Sequence, residues 1–257
     1  MTSSHLQPLD PTIVTMIVLT FFVGGLVKGL TGLGLPPVVL GILTAAIGIQ
    51  PAKALILVPT FLTNVLQASS GGHGRKVVRI TWPFLLAATV FTASGAFTLS
   101  YFRADVMSAL LGLGLAVYGV LGLFRFRVNI RHRKWHHPVG VLSGATNGFL
   151  TGMTGSSAVP GVFYLQSLGL SRDELVQGMG ILFTLSTVGL TWSLQAQDLL
   201  GAQLAVMSAV SLAPAFLGMS IGNRIRKGIS EEKFRKVLFI SLLLLGLYVA
   251  VQSLNPW

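Results

Sequence analysis

The chain contains no cysteine. That excludes disulfides, thiolate metal sites and cysteine nucleophiles together. Acids are scarce as well, at Asp10, Asp105, Asp173, Glu174, Asp198, Glu231 and Glu232 only. None lies near the middle of an apolar stretch, so a buried carboxylate proton relay or an acidic sodium site has no support. Charged residues make up 10% of the chain, against about 25% in soluble domains. There is no P-loop, no HExxH and no acid-flanked serine. Ser156 and His137 are too weak a pairing for triad chemistry, so no enzyme activity and no cofactor is expected. Met1–Asp10 is short and lacks a basic start, so no cleavable signal is expected there.

Apolar sequence is what the chain has instead. Of its 257 residues 52% are hydrophobic, and the mean hydropathy is +0.76. Five uncharged windows, Ile80–Phe102, Val106–Phe124, Leu175–Gln197, Leu199–Asn223 and Val237–Trp257, each hold 19 to 25 residues. A membrane helix needs about 20. The net charge is +11, but the basic residues cluster beside these windows, with no separate domain to present them. No nucleic-acid partner is expected; the lipid bilayer is. Clusters at Arg75–Arg79, Arg125–Lys134 and Arg224–Lys236 can all face the cytoplasm, with both termini on the other side. His132, His136 and His137 lack metal-ligand spacing and are read as solvated, so no metal site is expected.

Two glycine-rich breaks interrupt the apolar sequence. The first runs from Gly25 through Gly29, Thr31, Gly32 and Gly34 into Pro36 and Pro37; the second runs from Gly144 through Gly148, Thr151, Gly152, Thr154 and Gly155 to Pro160. Lys28 is the only charge between Pro11 and Gln50. That stretch would be ~57 Å as one helix, too long for a bilayer, so a hairpin is expected near Gly34–Pro37. A third span is expected over roughly 52–70. Pairing Gly25-x3-Gly29 with Gly144-x3-Gly148 gives two halves, each a broken hairpin plus three helices. An odd number of crossings per half inverts the second. The expected fold is thus an all-α polytopic membrane protein of two inverted-topology repeats with about 8–10 membrane segments. Its parts are a tail at 1–11, a first repeat at 12–124, a basic cytoplasmic linker at 125–137 and a second repeat at 138–254.

Irregular backbone at membrane depth survives where protein buries it or where it lines a cavity. Paired breaks in two halves point to a transporter's binding site. Gly25, Gly29, Gly144 and Gly148 are read as packing positions. The substrate site is placed on Lys28, Thr31, Gly32, Gly34, Asn64, Asn147, Thr151, Gly152, Thr154, Gly155, Ser156 and Ser157. Glycines let a ligand approach backbone N–H groups at helix starts, hydroxyls add donors, and together these suit an oxyanion. Lys28 is read as the one basic residue deep in an apolar stretch, and it would supply positive charge. Asn147 is taken as its counterpart in the second half. Gln67, Gln177, Ser186 and Thr187 are further polar residues of the neighbouring spans. Gly112 and Gly246 fall in spans read as lying outside the site, where substitution is expected to be mild.

These blocks, the central basic linker and the chain length resemble the TauE/SafE family of sulfite exporters and toluene-sulfonate permeases, over roughly residues 12–254. The resemblance implies a multi-pass permease of the bacterial inner membrane. It also implies a secondary transporter of small anions, sulfite or organosulfonates, working by alternating access. A homodimer is left open, and the alternative is a membrane accessory protein that uses the fold without transport.

Overall fold

The computed structural model describes residues 11–98, 101–124, 130, 135–157, 159–225 and 231–254. Eleven helices form among them: α1 (Pro11–Thr31), α2 (Leu35–Ile47), α3 (Ile49–Ser69), α4 (Gly74–Phe97), α5 (Ala104–Leu123), α6 (His136–Thr154), α7 (Gly161–Ser167), α8 (Arg172–Ala196), α9 (Ala202–Val210), α10 (Leu212–Ile225) and α11 (Glu231–Leu254). No strand occurs among the described residues. Seven spans are long and apolar enough to cross a membrane: α1, α3, α4, α5, α8, the α9–α10 pair, and α11 from Arg235. The chain is an all-α polytopic membrane protein. Most of the inter-half linker, 125–129 and 131–134, lies outside the described residues.

Each break has a physical cause. Gly32 and Gly34 take φ values of 77° and 107°, which side chains rarely adopt, and the Gly32 N–H closes α1 on the Lys28 carbonyl at 2.7 Å. Pro36 and Pro37 then sit in the first turn of α2, where a missing N–H removes no helical bond. At the second break, Gly155 (φ 82°) closes α6 on Thr151 in the same way, also at 2.7 Å. With 13 and 7 residues, α2 and α7 are too short to span a bilayer. Each hairpin is therefore a long limb returning through a short one.

Around the hairpins, α1 packs on α10, α4 on α6 and α5 on α11. Small residues let these backbones touch. A Cβ on Gly25 would run into the Ala215 carbonyl, and one on Gly29 into that of Met219. Gly148 and Gly152 meet Ala88 and Thr92 in the same manner. Gly144 meets the Phe84 carbonyl in the same way, so the clasp fits more than one pairing of the two breaks. Gly112 and Gly246 are not plain span positions either, because they press on the facing backbones of α11 and α5. Arg235 closes that pair by donating to the Gly122 carbonyl at 2.6 Å.

The central pair is α3 and α8. Gln67 Nε2 donates to the Val176 carbonyl at 2.8 Å and Gln177 Nε2 to that of Ala68 at 2.7 Å, so the end of α3 meets the start of α8. Pro59 inside α3 has no N–H to offer the Leu55 carbonyl. Ser208 Oγ of α9 donates to that carbonyl at 2.8 Å and accepts from the Val58 N–H at 3.1 Å. Large apolar side chains such as Leu86, Leu113, Leu142, Trp192 and Leu217 remain on the outer surface, as a bilayer-facing belt requires.

Candidate functional site

Both breaks and both central helices converge on one small cavity. Its walls are Leu33, Gly34, Pro36 and Pro37 from the first break, Ile56, Leu57 and Thr60 from α3, Thr151, Gly155 and Ser157 from the second break, and Phe183, Ser186, Thr187 and Leu190 from α8. Tyr118 and Val162 close its sides. The space open to the centre of a water molecule is about 20 Å³, room for one or two waters. A larger ligand enters only if the walls part.

The polar atoms of this wall are unusual in what they lack. Thr60 Oγ1 and Ser186 Oγ are buried and have no hydrogen-bond partner. An unpaired buried hydroxyl costs roughly 1–3 kcal/mol, and both residues line this cavity. Thr151 Oγ1 donates to the Asn147 carbonyl at 2.6 Å and lies 3.0 Å from Ser157 Oγ. Thr187 Oγ1 is held by the Phe183 carbonyl at 2.7 Å.

Charge lies just behind the wall. Lys28 is 4% exposed, and its Nζ donates to Thr63 Oγ1 at 3.1 Å and to Asn64 Oδ1. Asn64 Nδ2 is left without an acceptor. Thr63 and Asn64 follow Thr60 by one turn, so α3 carries both the hydroxyl in the cavity and the anchor of the ammonium. Lys53 is the other buried cation and is fully enclosed. Its position four residues into α3 gives it the look of a rim residue in the sequence, so Lys28 is not the only basic residue at depth.

The residues singled out from the sequence therefore separate. Gly34, Thr151, Gly155 and Ser157 line the cavity, with Lys28 and Asn64 beside it. Thr31 Oγ1 donates within its own turn, to the Val27 and Leu33 carbonyls, and accepts from the Leu33 N–H. Thr154 Oγ1 does the same with Leu150 and the Ser156 N–H. Thr154 and Ser156 border a separate apolar hollow between α5 and α6. Gly32 faces Val176, and Gly152 packs on α4. Asn147 Oδ1 accepts from the Gly161 N–H at 2.9 Å and so caps α7. Backbone donors at the two helix starts are accordingly few. Two of the first three residues of α2 are prolines, the Val38 N–H is bonded to Gly34, and Asn147 occupies Gly161. Side-chain hydroxyls carry the polarity of the cavity wall. Thr60 and Thr63 escaped the sequence reading because threonine is unremarkable in a membrane helix.

The model of the family described as sulfite exporter TauE/SafE matches residues 17–249. The chain is also 25% identical over 234 residues to a protein of Cupriavidus necator named "Probable sulfite/organosulfonate exporter TauE". The match covers 88% of this chain and 90% of that protein. No solved structure matches the chain significantly.

Proposed function

The chain belongs to the sulfite exporter TauE/SafE family, and from that premise we propose that it carries sulfite or a small organosulfonate through the cavity between its two breaks by alternating access. That it is a multi-pass transporter of the bacterial inner membrane follows from the family and the seven long apolar helices. The cargo class is taken from the name of the Cupriavidus necator relative. One observation carries the binding site: Thr60 and Ser186, whose hydroxyls are buried and unpartnered, both line this cavity. Both are donors without a load, and an oxyanion supplies acceptors for both. Lys28 supplies charge through α3, and Thr151, Ser157, Gly34 and Gly155 complete the wall.

The inverted repeat belongs to the same proposal. Its support is the matched clasp of α1 on α10 and α6 on α4, together with corresponding helices α3 and α8 that meet end to start. The cavity lies where the two halves meet, the place at which repeat transporters hold their cargo. No chemical step is assigned to any residue. A non-transporting accessory role leaves two buried hydroxyls unpaired with no return for their cost.

Uptake of labelled sulfite and of labelled methanesulfonate into proteoliposomes tests the proposal. Saturable uptake that falls at least tenfold in affinity in Thr60→Val supports it. Absence of uptake of either anion by well-folded protein overturns it and favours the accessory reading.

A further inference from the structure

Lys53 is 0% exposed and takes no part in the cavity wall as it stands. Its Nζ donates to the carbonyls of Gly152 and Met153 at 3.0 and 2.8 Å, the last turn of α6. Its stem runs beside the cavity: a Cβ placed on Gly155 would lie 3.0 Å from Lys53 Cγ. Gly155 lines the cavity, and so do Ile56 and Leu57 one turn along α3. The head is turned away from a space that the stem adjoins.

Burying an ammonium carries a desolvation penalty that survives relaxation. A helix C-terminus returns only part of it, and a neutral side-chain amide would serve the same carbonyls. The first break provides the comparison. There α1 ends in the same left-handed glycine closure at Gly32, and the neighbour is Val176. An end of this shape needs no lysine.

We propose that Lys53 is a second cationic ligand of the transported anion. On binding, its Nζ exchanges the Gly152 and Met153 carbonyls for the anion's oxygens, passing the side-chain-free edge of Gly155. Two full charges attract each other more strongly than an ammonium attracts a carbonyl dipole, which favours the exchange. The last turn of α6 then loses its tie to α3, so loading the site releases the second hairpin. A doubly charged anion profits from this ligand more than a singly charged one.

This inference rests on the transport reading, and the test separates the two. Wild type, Lys53→Gln and Lys53→Arg are compared in proteoliposomes with sulfite and methanesulfonate as probes. The expected result is a KM for sulfite raised at least tenfold in Lys53→Gln, a smaller rise for methanesulfonate, and recovery of most of the loss in Lys53→Arg. Equal KM values in all three proteins overturn the inference while leaving transport intact. Wild type that transports neither probe overturns the transport reading itself. Should Lys53→Gln fail to fold, hydrogen exchange on wild type decides. Saturating sulfite is expected to speed exchange of the amides over 152–157, and unchanged or slower exchange there overturns the inference.

Discussion

Asn147 and Gly161 lie on opposite sides of the second break, and the amide oxygen of one receives the N–H of the other at 2.9 Å. The bond fixes where α7 starts relative to the end of α6. A side chain on Gly161 would strike Asn147 itself. Asn147→Ala removes the acceptor and leaves a buried N–H, so a loss of about 1–3 kcal/mol in stability is expected. Thermal unfolding in detergent measures it, and an unchanged Tm would show that the cap is dispensable.

Thr60→Val and Ser186→Ala act in the opposite sense. Each removes a buried hydroxyl that lacks a partner, so Tm is expected to hold or rise. Anion binding should weaken, because each lost bond to a charged oxygen is worth about 1.5–3 kcal/mol, roughly tenfold or more in Kd. Isothermal titration with sulfite reads the binding. Unaltered affinity in both variants removes the cavity from the transport path.

For Lys28 the charge is the variable. Lys28→Ala is expected to lower sulfite affinity by about tenfold, and Lys28→Arg to keep part of it because Thr63 and Asn64 still accept from a cation. Concentration-dependent uptake distinguishes the two, and wild-type behaviour in both would reduce Lys28 to a structural tether.

Glycine substitutions sort packing from space. Gly25→Val and Gly148→Val drive a side chain into the Ala215 and Ala88 backbones and are expected to abolish stable expression. Gly114 has nothing within 4 Å of an added Cβ, so Gly114→Ala is expected to express and transport like wild type. Fluorescence size-exclusion chromatography gives the comparison. Monodisperse Gly25→Val would mean that α1 and α10 separate without harm.

Sidedness is measurable without background, since the chain has no native cysteine. Single cysteines near Gly72 and Lys227 are expected to react from the cytoplasm, and one placed after Trp257 from the opposite side. A C-terminal label reactive from the cytoplasm removes the inverted repeat.

The long spans were legible because charge delimits them: Arg103 and Asp105 flank the start of α5, and Arg172 to Glu174 open α8. Both breaks were legible because glycine and proline have few other reasons to crowd an apolar stretch. Register was not. Gly140, Gly144, Gly148 and Gly152 stand one turn apart, so several alignments satisfy the same spacing, and the last three all press on carbonyls of α4. Ser186 stood among the polar residues of the neighbouring spans, but the Thr60 hydroxyl was hidden for a different reason. Thr60 differs from Thr184 or Thr191, which bond to their own helices, only in lacking such a bond. That difference lies in three dimensions and leaves no trace in the chain's order. Lys53 was hidden by its place near the start of a helix, where a lysine ordinarily reaches water.

The Ser208 hydroxyl that occupies the Leu55 carbonyl leaves α3 with a joint at mid-length. Proline has already removed the bond that would close on Leu55, and the serine holds that carbonyl from a neighbouring helix. Thr60 is the first residue beyond that joint. A tilt of one half of α3 against the other would turn on this point, as a door turns on its pin, directly beside the cavity wall.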